Sequence, residues 1–198
     1  MPKIIHNIEE VIEKNAITLF SKYDYNKVDM KMIAKHSNIA VGTLYNYYPN
    51  KKQLFITAAL KSWASTANAL DVIYETASTP EEKLSQSIEV LYDDIELRKG
   101  MGQYIYTIFS KYEFEGEVVD IFHTLFFKIE RLFQPFEKRS FSCSEDTINL
   151  RLSKSLITTL QSSIVSFPHD RDDNLHFIQN FFYNSLHYNE NLKKTNCK

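Results

Sequence analysis

Only four glycines and five prolines occur in 198 residues. A chain this poor in glycine carries no glycine-rich phosphate loop, and neither GxGxxG nor GxSxG is present. Gly100, Met101 and Gly102 lack a third glycine and any strand pattern ahead of them. Cysteine is almost absent too: Cys143 in a polar loop and Cys197 near the C-terminus make no disulfide framework and read as free thiols. His169 and His176 straddle a turn with no third ligand nearby, so neither a metal nor a cofactor is expected. No Glu, His or Tyr stands at a spacing that would activate a nucleophile, which argues against an enzyme. Apolar runs never approach the roughly eighteen residues of a membrane span, and MPKIIHNIEEVIEK lacks a signal-peptide core. These absences point to the cytoplasm.

Charge of one sign is also missing. The formal net charge of −2 excludes a uniformly basic nucleic-acid binder. Its distribution is uneven, however. Residues 1–54 hold eight Lys and no Arg against five acidic residues, while the remainder is net acidic. The predominance of Lys over Arg, with abundant Asn and Ile, suggests an AT-rich bacterial genome.

What is present is helical periodicity, and the fold class it implies is all-α. Residues 5–22 place Ile8, Ile12, Ala16, Leu19, Phe20 and Tyr23 on one side of an opening helix. Residues 29–54, DMKMIAKHSNIAVGTLYNYYPNKKQL, read as a short helix, a turn at Ser37, Asn38 and Ile39, and a second short helix ended by Pro49 and Asn50. This is the helix-turn-helix arrangement, whose second helix enters the DNA major groove. Leu44 and Tyr48, four apart, pack inward and turn Gly42, Thr43, Asn46 and Tyr47 outward. An ordinary helical hairpin with a solvated face is the competing reading. Asn50 caps a long fourth helix, with Gln53 at the capping-box position.

The pattern GTLYNYYPNKKQL, with Ile12, Ala16, Leu19 and Phe20 ahead of it and Ile33 and Ala34 in the first helix of the motif, resembles the DNA-binding domain of the tetracycline-repressor (TetR) family. The resemblance covers about the first sixty residues. Asp24 stands where that family usually has glycine, and Ser37 and Asn38 replace its usual Ala-Gly turn; Asn tolerates the left-handed backbone such a turn requires. The resemblance implies about nine helices: a helix-turn-helix head over residues 1–54, taking in the start of a fourth helix to about 66, and a helical effector-binding and dimerisation domain over 67–198; the fourth helix itself is expected to reach the low seventies. It further implies DNA contacts from Thr43, Tyr45, Tyr47 and Lys51. Lys51, beside the free N–H groups of a helix start, forms a corner suited to phosphate. Gly42 allows close approach, Val41 suits a thymine methyl and Asn46 suits adenine. For Tyr45 and Tyr48 core packing is the alternative. Lys27, Lys31 and Lys35 are further phosphate candidates.

Beyond the head, Thr79, Pro80 and Glu82 form a capping box that opens a helix with Leu84, Ile88, Leu91 and Ile95 on one face. An aromatic helix is expected over 102–112, and a longer one over 117–137 with Phe122, Phe126, Ile129, Phe133 and Phe136 in a stripe. Tyr104, Phe109, Tyr112, Phe122 and Phe126 either line a pocket for a small apolar or aromatic effector or form a closed core. Two final helices are expected over 145–167 and 172–189. Leu152, Leu156, Leu160 and Ile164, with Ile178 and Phe182, supply either a homodimer interface or a buried intrachain hairpin. The function expected is a ligand-responsive regulator, a repressor that binds a palindromic operator as a homodimer. The alternative is a DNA-binding regulator controlled by a protein partner, with no effector pocket.

Overall fold

Apolar residues recur here at helical spacing almost throughout, and the computed structural model shows the consequence. It describes residues 7–98, 101, 117–138 and 144–188, with side chains for all but 117–122, 145, 146, 187 and 188. Eight α-helices occur among the described residues: α1 (Ile8–Lys22), α2 (Met30–His36), α3 (Val41–Tyr47), α4 (Lys51–Thr76), α5 (Pro80–Leu97), α6 (Glu117–Phe133), α7 (Glu145–Ser166) and α8 (Arg171–Ser185). A 3-10 turn, Tyr25–Lys27, separates α1 from α2. Two short strands, β1 (Phe136–Glu137) and β2 (His187–Tyr188), pair antiparallel with Phe136 opposite Tyr188. The aromatic helix expected over 102–112 lies outside the described residues.

Two compact units result: residues 1–65 with 97–121, and residues 66–96 with 122–198. In the first, Ile12, Ala16, Leu19 and Phe20 of α1 meet Ile33 and Ala34 of α2, Leu44 of α3, and Leu54, Phe55 and Ala58 of α4. Each fully buried Leu, Ile or Phe here contributes roughly 1.5–3 kcal/mol. Phe55 stands edge-on to both Phe20 (4.9 Å) and Tyr25 (5.0 Å), an arrangement aromatic quadrupoles favour.

In the second unit the predicted capping box is present. The Thr79 hydroxyl accepts from the Glu82 N–H at 3.1 Å, and the Glu82 carboxylate accepts from the N–H groups of Ser78 and Thr79. Leu84, Ile88 and Leu91 are buried, as is Tyr92, whose hydroxyl accepts from the amide of Asn174 on α8 at 2.9 Å. Arg171 ties the start of α8 to Asp93 and Glu89 of α5.

Three expectations need correction. The helix from Glu117 stops at Phe133 rather than 137, because Pro135 supplies no N–H and disfavours helix in the residue before it. The last helix stops at Ser185 rather than 189, since Leu186 is extended and leads into β2. The third concerns the proposed dimer residues. Leu152, Leu156, Leu160, Ile164, Ile178 and Phe182 are all buried within this single chain. Within this chain they fill the hairpin of α7 and α8, the alternative reading of the same stripe. What α8 leaves exposed is Phe177 and Phe181, 60% and 51% accessible and stacked with ring centroids 6.2 Å apart. Val165 and Phe167, at the end of α7, are exposed as well.

Candidate nucleic-acid interface

Asp29 begins the motif by capping α2, its carboxylate accepting from the Met32 N–H at 2.8 Å. The helix ends at His36, and Asn38 takes the left-handed backbone (φ 53°) that swings the chain into α3. Asparagine adopts that conformation at low cost, so the turn needs no glycine.

Two inward anchors set the pitch of α3. Leu44 is fully buried and Tyr48 nearly so, as their four-residue spacing predicts. Tyr48 is more than packing. Its hydroxyl donates to the Glu13 carboxylate at 3.0 Å, and Lys61 of α4 pairs with the same carboxylate. One buried acid therefore ties α1, the end of α3 and α4 together. Burial, then the hydrogen bond to Glu13, holds the Tyr48 phenol well above its ordinary range.

The opposite face of α3 is open. Gly42, Tyr45, Asn46 and Tyr47 are exposed, the two tyrosines 49% and 42% accessible despite their size. Core packing is thereby excluded for Tyr45 and realised for Tyr48. Thr43 is half-buried, and Val41 packs in part against the core of the first unit. Gly42 sits inside α3, and a Cβ built on it would meet nothing within 4 Å. Its missing side chain thus serves no contact within the described residues, while glycine in a helix costs roughly 1 kcal/mol relative to alanine. Lys31 and Lys35 lie exposed on α2. Lys27 is paired with Asp24 at 3.1 Å.

Lys51 differs from its expected form as an open phosphate ligand. Its ammonium donates to the carbonyls of Tyr25 and Val28, both at 2.9 Å, and lies 4.1 Å from the Tyr25 ring centroid. Burial lowers its pKa, and the nearby Asp29 opposes that shift. Sequence reading could not find these partners, which are backbone atoms 26 and 23 residues away.

Of the effector candidates, Tyr104, Phe109 and Tyr112 lie outside the described residues, as does the side chain of Phe122; Phe126 is half-buried on α6. Nearby, His123 is exposed and Arg131 stacks on Tyr74 at 4.2 Å. Among the described residues no group of three or more His, Cys, Asp or Glu could hold a metal ion, and no helix is long and apolar enough to cross a membrane.

Known proteins share this arrangement. Residues 12–58 match the family described as bacterial regulatory proteins, tetR family. The HTH-type transcriptional repressor KstR of Mycolicibacterium smegmatis is 30% identical over 69 residues, covering 35% of this chain and 34% of KstR. The chain spans about a third of the length of the curated relatives it matches. A regulator from Saccharomonospora viridis solved in complex with choline superposes with a TM-score of 0.72 at 14% identity, covering 89% of this chain and 96% of that one. FadR of Bacillus subtilis in complex with stearoyl-CoA gives 0.60 at 14% identity, covering 86% and 97%. At such identities the structural likeness speaks to fold alone. The matched domain includes the helix-turn-helix built above, and over those residues the chain is similar to the tetR family of bacterial regulatory proteins.

Proposed function

We propose that this protein is a DNA-binding transcriptional regulator, a repressor that reads a palindromic operator as a homodimer and is released by a small, largely apolar effector. The observation that carries the reading is Gly42. Open space where its side chain would stand leaves α3 room for close approach by a DNA backbone, which supports the reading. Around it stand the hydroxyls of Thr43, Tyr45 and Tyr47 at the height of phosphates, and the Asn46 amide, suited to an adenine edge. Val41, partly packed, offers its remaining surface to a thymine methyl.

A second copy is required because one short helix reads too few base pairs. The exposed Phe177 and Phe181, with Val165 and Phe167, offer an apolar face for it, in place of the buried leucines. Effector control is supported by the choline and stearoyl-CoA found in structures of the same fold. An effector that favours one dimer conformation lowers operator affinity by the same factor by which operator lowers effector affinity.

The test is titration of the purified protein with genomic fragments at low and moderate salt. The reading requires a few fragments to bind far more tightly than bulk DNA, with affinity falling steeply as salt rises. Equal binding to all fragments contradicts it.

A further inference from the structure

Lys51 occupies the first position of α4, where a cation is opposed by the positive end of the helix dipole. A lysine held there needs a compensating environment, and the structure supplies one built from this chain. The carbonyls of Tyr25 and Val28 each accept from the ammonium at 2.9 Å, taking two of its three donors. The Tyr25 ring lies below it at 4.1 Å, itself buried and fixed edge-on against Phe55 at 5.0 Å. These carbonyls belong to the turn that delivers the chain into the Asp29 cap of α2. The Tyr25 carbonyl also accepts from the Val28 N–H at 3.3 Å, so the ammonium adds a second donor there and joins the Val28 carbonyl to the same point.

We propose that Lys51 is a positioning residue: it supports DNA binding by stapling the 25–28 turn to the start of α4, and not by meeting a phosphate itself. The inference rests on the DNA-binding reading above. It departs from the phosphate-contact role that the resemblance implies for this position. With the turn held, the start of α2 keeps a fixed height against the duplex, and α3 is presented at one angle. Without the staple, Asp29 still caps α2, but the segment before it loses its fixed attachment to α4.

The experiment has three arms. Lys51→Met keeps the apolar stem and removes the donors. In the DNA-free protein, amide exchange at Lys27 and Val28, whose N–H groups close the turn onto Asp24 and Tyr25, should speed up about tenfold while Ala58 and Ala59 in α4 stay protected. On a preferred duplex, affinity should fall about tenfold with the salt slope unchanged, whereas loss of a phosphate contact lowers that slope by about 0.9. The third arm needs no variant: the Lys51 ammonium resonance of the wild-type protein should keep its position and slow exchange when duplex is added. A lowered slope with unchanged exchange at Lys27 and Val28, or an ammonium resonance that moves on binding, overturns the inference and leaves the DNA-binding reading intact. Failure of the wild-type protein to prefer any duplex removes the reading and the inference with it.

Discussion

The Tyr48 hydroxyl donates to the Glu13 carboxylate across 3.0 Å, joining the residue that ends α3 to a helix 35 residues earlier in the chain. The bond is buried and its acceptor is charged, the circumstances in which a hydrogen bond contributes most. Tyr48→Phe should therefore lower stability by about 1.5 kcal/mol, read from chemical denaturation. Glu13→Ala should cost more, because it leaves the buried phenol without its acceptor. Equal or smaller loss in Glu13→Ala would show that the phenol finds another partner.

The same bond predicts a response to alkali. The folded phenol holds its proton more tightly than the unfolded one, whose ordinary value is 10.0. Its contribution to stability is complete below that value and is lost as pH rises beyond it. Between about pH 9 and about pH 11 the wild-type protein should lose more stability than Tyr48→Phe does. Parallel pH profiles for the two proteins would count against the assignment.

Assembly gives a prediction in two opposite directions. Replacing Phe177 and Phe181 together with glutamate should yield a folded monomer by sedimentation, with little change in the thermal melt, since both side chains are already exposed. Leu156→Glu should instead unfold the second unit, as an unpaired buried charge costs more than about 3 kcal/mol. A folded, monomeric Leu156→Glu would mean that the buried leucines face a partner after all.

Much of the head was legible in the sequence. The spacing of Leu44 and Tyr48 gave the buried face of α3, Asn38 gave the left-handed turn, and Thr79 with Glu82 gave the start of α5, because each depends on residues within one or two turns. The end of α6 was equally legible in Pro135, but the phenylalanine stripe running through Phe136 outweighed it; that residue is buried from β1 rather than from a helix. Periodicity showed that α7 and α8 are apolar on one side without showing what covers that side. On α8, Phe177 and Ile178 are neighbours, as are Phe181 and Phe182, so the apolar surface is too wide for one seam; the width was the available signal for a second face. The roles of Lys51 and Glu13 were not legible, since their partners converge only through the fold.

Gly42→Ala separates folding from function. The new Cβ meets open space, so the variant should be as stable as the wild-type protein or up to about 1 kcal/mol more so. Its operator affinity should nevertheless fall at least tenfold if a DNA backbone approaches that surface closely. Unchanged affinity, measured by fluorescence anisotropy on a preferred duplex, would remove the central argument for close approach.

The most direct measurement is selection of duplexes from a random-sequence library by the full chain, followed by sequencing of the enriched pool. The account predicts a palindrome whose two half-sites lie one helical turn apart or a multiple of it, about 34–36 Å per turn, with the base preference changed at a symmetric pair of positions in Asn46→Ala. A pool with no enriched motif, or a single asymmetric site indifferent to Asn46, would contradict it.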